Sequence, residues 1–226
     1  MKFELIDQRI LGAAVLARFS GVTVTGDLAT SLESFRLVHR TLEEAAEAVD
    51  EARRARDAAL AEIGAADTLL DRGLDGLASK LVGAGLGSRK NPFSSYSSHT
   101  PSALADLAYK TEVAAVREMA ARIAAKGPNE EVTRAIGECL QHAAKVEQAV
   151  TGLSGPQSTY DIKRAARDAA AMDWSKAYSK LRLRAELAFE DDRATFDALF
   201  TEVERVQRPV KRRKKSKADS ESDVPE

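Results

Sequence analysis

Apolar residues that return at alternating intervals of three and four constrain this chain more than any other feature of its sequence. Such spacing lines up side chains along one side of an α-helix. Alanine at every second position of the pattern lets a neighbouring helix approach closely. We therefore predict a long helix, over residues 27–82, that packs against other helices. The stripe consists of Leu42, Ala45, Val49, Ala52, Arg56, Ala59, Ile63, Ala66 and Leu70.

Two glycines lie inside this predicted helix, at Gly73 and Gly76. Glycine in a helix interior costs about 1 kcal/mol relative to alanine, because its backbone loses more freedom on folding. The pair therefore predicts a kink or a break near residue 73.

Two shorter helices are predicted in the middle of the chain. Thr100 followed by Pro101 is typical of a helix start, and Gly127 with Pro128 is typical of an end. Asn129 is a preferred residue for the cap of the next helix, and Gly155 with Pro156 predicts its end. The predicted hairpin comprises residues 101–126 and 129–152.

A second long helix is predicted to open at Ser158 and to close at Pro209. Trp174 is predicted to be a core ring, since its burial removes a large apolar area from water. The carboxylates of residues 190–192 are interpreted as a solvated face. The apolar stripe of this helix comprises Trp174, Ala177, Leu181, Ala185, Phe189, Phe196, Leu199, Val203 and Val206.

Residues 1–26 form a lead-in with two open interpretations. Ile10 to Phe19 favours a short helix, whereas the alternation between Gly21 and Gly26 favours a short strand. Apart from this lead-in, whose conformation stays undecided, the predicted fold class is all-α. The expected architecture is an elongated antiparallel helical bundle of coiled-coil-like hairpins, with two long and two shorter helices.

The predicted organisation has three parts. Residues 1–26 are the lead-in, residues 27–208 are a helical bundle domain that contains a loop at 83–100, and residues 209–226 are a tail. The tail is basic and then acidic, which is a composition typical of disorder.

The loop at residues 83–100 is a candidate binding segment. Its glycines do not match the register of a phosphate-binding loop, and a helix precedes them where a strand is required. Two interpretations remain for its aromatic residues, which either dock on the bundle or recognise a protein partner. The candidate partner-binding residues are Arg89, Lys90, Phe93, Tyr96 and His99.

The sequence offers little for metal binding or catalysis. Cys139 and His142 are three residues apart, but the chain has no Glu-x-x-His motif of the kind used in di-metal helical bundles. Cys139 falls on an apolar stripe, where a thiol acts as a small hydrophobe. No nucleophile motif surrounds any histidine. We predict no metal, no cofactor, no small-molecule substrate and no enzymatic activity.

The tail carries the strongest charge feature of the chain. A dense basic run binds polyanions through phosphate contacts that weaken as salt rises. The same run is also compatible with a nuclear import signal, or with a solubilising end balanced by the acidic residues that follow. The candidate polyanion-binding residues are Lys211, Arg212, Arg213, Lys214, Lys215 and Lys217.

The remaining observations concern compartment and role. A single cysteine indicates a reducing environment. Early charges argue against a signal peptide, and no apolar run is long enough for a membrane helix. We expect a cytoplasmic protein, or a nuclear one if the source cell has a nucleus. The predicted function is non-enzymatic interaction or assembly through helix faces, with a protein partner or a second copy. The alternative is non-specific nucleic-acid binding through the tail.

Overall fold

The computed structural model describes residues 4–201, and within that range it is α-helical with no strand. The predicted all-α class is confirmed, and the lead-in adopts the helical alternative. The helices are α1 (Leu5–Phe19), α2 (Gly26–Gly83), α3 (Pro101–Ala105), α4 (Tyr109–Ala124), α5 (Glu130–Gly152), α6 (Ser154–Ala188) and α7 (Arg193–Phe200).

The chain divides into two compact units. The terminal unit comprises residues 1–39 and 174–226, and the central unit comprises residues 40–173. Helices α2 and α6 each contribute residues to both units.

Helix α2 runs from Gly26 to Gly83 as one continuous helix, so a break near Gly73 is wrong and the kink stays a prediction. The glycine has a packing role instead. A Cβ atom at residue 73 would lie 3.2 Å from the His142 ring and 3.4 Å from the Cys139 sulfur. Gly73 therefore lets α5 approach α2 closely, and tertiary packing outweighs the weak helix propensity of glycine.

The predicted helix 101–126 is divided into α3 and α4. Its start is as expected, because the Thr100 side chain accepts a hydrogen bond from the Ala103 N–H. The chain then leaves the helix before Ala108, whose backbone is extended. No proline or glycine marks this break. The break between α3 and α4 accompanies the complete burial of Leu104. Tertiary packing therefore again outweighs the helix propensity of the local sequence.

Helices α5 and α6 are separated by Leu153 alone: α5 ends at Gly152, in agreement with the predicted range 129–152, whereas α6 begins at Ser154 and not at the predicted Ser158. Pro156 lies in the first turn of α6. Because the first N–H groups of a helix have no intrahelical acceptor, proline is tolerated there. Pro156 thus belongs to the beginning of α6 and not to the end of α5.

The cap of α5 is confirmed, since Asn129 Oδ1 accepts a hydrogen bond from the Val132 N–H at 3.0 Å. We expect Asn129→Ala to lower the free energy of unfolding by about 1 kcal/mol, because one N–H group loses its acceptor. Urea unfolding measures this loss. Asn129→Ser is the control and should retain most of the stability, and equal losses in the two variants would contradict the capping role.

In the central unit, α2 lies antiparallel to α5 and to the first part of α6. Lys80 pairs with Glu131 at 3.2 Å, Gly73 faces Cys139, and the Arg56 guanidinium lies 4.4 Å from the centroid of the Tyr160 ring. Leu42, Val49, Ala52, Ile63, Ala66 and Leu70 of the predicted α2 stripe are buried.

In the terminal unit, an aromatic cluster forms the centre of the core. Trp174 is fully buried, as predicted, and its Nε1–H donates a hydrogen bond to His39 Nδ1 at 3.2 Å. Phe35 stacks on the His39 ring and contacts Trp174. Gly12 of α1 faces both the His39 and Trp174 rings.

Candidate functional site

Three carboxylates meet inside the central unit, and they come from two helices. Asp67 and Asp71 are four residues apart on α2 and therefore lie on one side of that helix. Glu112 reaches them from the first turn of α4. One oxygen of each side chain lies within 4.8 Å of one oxygen of each of the others. We refer to these three residues as the carboxylate cluster.

Glu112 is the most unusual member of the carboxylate cluster. The residue is 0% exposed, and neither of its carboxylate oxygens accepts a hydrogen bond from a protein donor. Asp71 Oδ1 is also buried without a donor. Among residues 4–201, the cluster contains no ion pair with a basic side chain. A buried charge normally has a partner, since removing it from water costs several kcal/mol.

The protonation of this cluster is shifted by its surroundings. Burial, followed by the neighbouring charges of Asp67 and Asp71, raises the pKa of Glu112 to about 7. Burial, together with the charges of Asp67 and Asp75, also raises the pKa of Asp71. Asp67 lies close enough to Glu112 to share a proton with it. The carboxylates therefore need either a proton or a counter-charge.

A cavity of about 580 Å³ reaches the carboxylate cluster at Asp71. Its wall combines charged and hydroxyl side chains, which can hold water. The cavity therefore brings solvent to the Asp71 side of the cluster, in which Asp67 and Asp71 are half-buried and Glu112 is fully buried. Its lining includes Asp71, Asp75, Lys90, Thr100 and Ser102.

Sequence reasoning did not identify this cluster, although the sequence carries a signal for it. Glu112, Val116, Met119 and Ile123 follow one another at intervals of four, three and four, and all are buried. A carboxylate therefore occupies a core position of the α4 stripe.

The predicted loop residues separate into two groups. Phe93 and Tyr96 are buried in the core of the central unit, and the Tyr96 hydroxyl donates to the Leu86 carbonyl at 2.9 Å. These two rings therefore dock on the helices of the central unit. Arg89 and Lys90 are exposed and His99 is half-buried, so the structure does not bring all five residues into one binding surface.

Cys139 and His142 lie on α5 beside Gly73. Cys139 is fully buried in the apolar core, and burial raises the pKa of its thiol to about 12. The thiol therefore stays protonated, as expected for a packing residue. His142 Nδ1 is buried without a hydrogen-bond partner, but the His142 ring is not a member of the carboxylate cluster.

The six candidate polyanion-binding residues, Lys211 to Lys217, lie outside the described residues 4–201, so polyanion binding by the tail stays a prediction. Of the helices that the structure describes, none combines the length and apolar character that crossing a membrane requires.

Comparison of the chain with known protein families, with curated proteins and with solved structures finds no match.

Proposed function

We propose that this chain is a helical assembly protein that pairs with a second copy of itself through an exposed stripe on α6. The stripe consists of Ile162, Ala165, Ala169 and Met172. The observation that supports it most directly is exposure, since Ile162 is 63% and Met172 is 61% exposed. Ala165 and Ala169 between them are also exposed.

This part of α6 is covered on one side only. Between residues 158 and 169, Tyr160 and Arg167 are half-buried and all other residues are exposed. Tyr160 faces α2 through its contact with Arg56. The α2 stripe that the sequence offered as a docking surface is mostly buried within the chain itself. Within residues 4–201, the α6 stripe is therefore an apolar helix face that the rest of the chain leaves uncovered.

The spacing of the exposed stripe favours a second copy in an antiparallel arrangement. Its intervals of three, four and three read the same in both directions. A two-fold axis between the alanines would place Ile162 of one chain beside Met172 of the other and alanine beside alanine. Small residues at the centre allow close helix packing, and self-complementary surfaces are the rule in two-fold dimers.

The charges beside the stripe support the same arrangement. Residues 161–167 contain three basic residues and one acid, whereas residues 168–173 contain two acids and no base. Antiparallel pairing brings the basic half of one helix beside the acidic half of the other. Charge complementarity of this kind favours one orientation over its reverse.

Sedimentation equilibrium tests this function. The parent protein is expected to have about twice the chain mass of 24.4 kDa. Met172→Glu should weaken self-association by about tenfold or more, because a charge placed in an apolar interface loses its hydration. Leu37→Glu is the matched control, since Leu37 is 64% exposed and lies on α2, not on the α6 face that carries the stripe. A monomeric parent, or equal weakening by both variants, would rule out the proposal.

A further inference from the structure

The carboxylate cluster lies outside the α6 stripe, and no basic side chain of residues 4–201 forms an ion pair with it. Like charges confined within 4.8 Å of one another repel, and this repulsion is strong where little water is present. At a core position such as residue 112, burying an apolar side chain costs less free energy than burying a carboxylate. The presence of Glu112 there requires a separate explanation.

We propose that Asp67, Asp71 and Glu112 bind a hard divalent cation of the class of Mg²⁺ or Mn²⁺. All three ligands are carboxylates, and no nitrogen or sulfur atom belongs to the cluster. Oxygen-only sites select Mg²⁺, Mn²⁺ and Ca²⁺ over zinc and copper.

Glu112 provides the second observation for this site, independent of the acidic pair on α2. It comes from a different helix, is 0% exposed, receives no hydrogen bond at either oxygen, and brings one oxygen within 4.8 Å of an oxygen of Asp67 and of Asp71. A cation there would supply the partner that protein donors do not supply.

The adjacent cavity provides access and the rest of the coordination shell. Magnesium retains several water ligands and rarely binds inside an all-protein cage. The cavity of about 580 Å³ opens beside Asp71, so water can reach the cation from that side. Three carboxylates from the protein and water from the cavity together complete an octahedral shell.

Binding of Mn²⁺ to the chelator-treated full chain tests the site. The paramagnetic resonance signal of free Mn²⁺ measures the dissociation constant at pH 7.5, and competition by Mg²⁺ and Ca²⁺ identifies the preferred ion. We expect a single site whose affinity falls by about tenfold or more in both Asp71→Asn and Glu112→Gln. Glu62→Gln is the control on the exposed side of α2, outside both the cluster and the cavity lining, and should change the affinity by less than about threefold.

A thermal readout separates binding from folding. Mn²⁺ should raise the melting temperature of the parent and of Glu62→Gln, since a ligand that binds only the folded state stabilises it, but should not raise that of Asp71→Asn or Glu112→Gln. Absence of Mn²⁺ binding by the parent at about 1 mM, the weak end of protein cation sites, would overturn the proposal. The cluster would then hold a proton in place of a cation. An equal loss in Glu62→Gln would overturn it as well.

Discussion

Glu112→Gln is expected to raise the free energy of unfolding of the chelator-treated protein by about 3 kcal/mol at pH 8. Burial and the charges of Asp67 and Asp71 raise the pKa of Glu112 from 4.5 to about 7. Between these values the folded protein holds a proton that the unfolded chain has released. The stability of the parent is therefore not reduced by Glu112 below about pH 4.5. As the pH rises to about 7, the free energy of unfolding falls by about 1.36 kcal/mol for each unit between the two pKa values.

Glutamine resembles the protonated carboxyl in shape and has no charge to bury. The variant and the parent should therefore have similar stability at pH 4.5, with the difference growing up to about pH 7 and constant above it. Urea unfolding at several pH values measures this profile. Glu62→Gln makes the same chemical change at an exposed position of α2 and is expected to have little effect at any pH. A gap between Glu112→Gln and the parent that is independent of pH would show that the Glu112 carboxyl has the same pKa in the folded and the unfolded protein.

The helices were predictable because their periodic apolar spacing is a local property of the chain. The α2 stripe and the Asn129 cap are examples, since each depends on residues within a few turns of one another. Gly73 and Pro156 were misread for the opposite reason. The closeness of α5 to Gly73 is a tertiary contact, and a proline in the first turn of a helix resembles one that follows a helix.

The carboxylate cluster was harder to predict because its members lie on two helices and their contact depends on packing. Asp67 and Asp71 alone resemble any pair of solvated acids on a helix. Only the position of Glu112 in the buried stripe of α4 distinguishes the cluster from such a pair. The helical spacing of that stripe does not continue from α3, because the helix is broken between α3 and α4. The division of the predicted helix 101–126 thus concealed the residue that completes the cluster.

Gly12→Ala is expected to lower the free energy of unfolding by about 2 kcal/mol. A Cβ atom at residue 12 would lie 2.5 Å from His39 Nδ1 and 3.0 Å from Trp174 Nε1. The two rings cannot withdraw easily, because they are joined by a hydrogen bond and Phe35 packs against both. Overpacking a core costs about 1–3 kcal/mol or more, and the better helix propensity of alanine offsets about 1 kcal/mol of that cost.

Gly64→Ala on α2 is the matched control for this substitution. No atom lies within 4 Å of a Cβ placed at residue 64, so alanine there should stabilise the protein by up to about 1 kcal/mol. The two glycine-to-alanine variants are thus expected to change stability in opposite directions in urea unfolding. Trp174 is the single tryptophan of the chain, and its fluorescence reports directly on the crowded site. An unchanged emission spectrum, together with a Gly12→Ala variant as stable as Gly64→Ala, would show that the His39 and Trp174 rings have room to move.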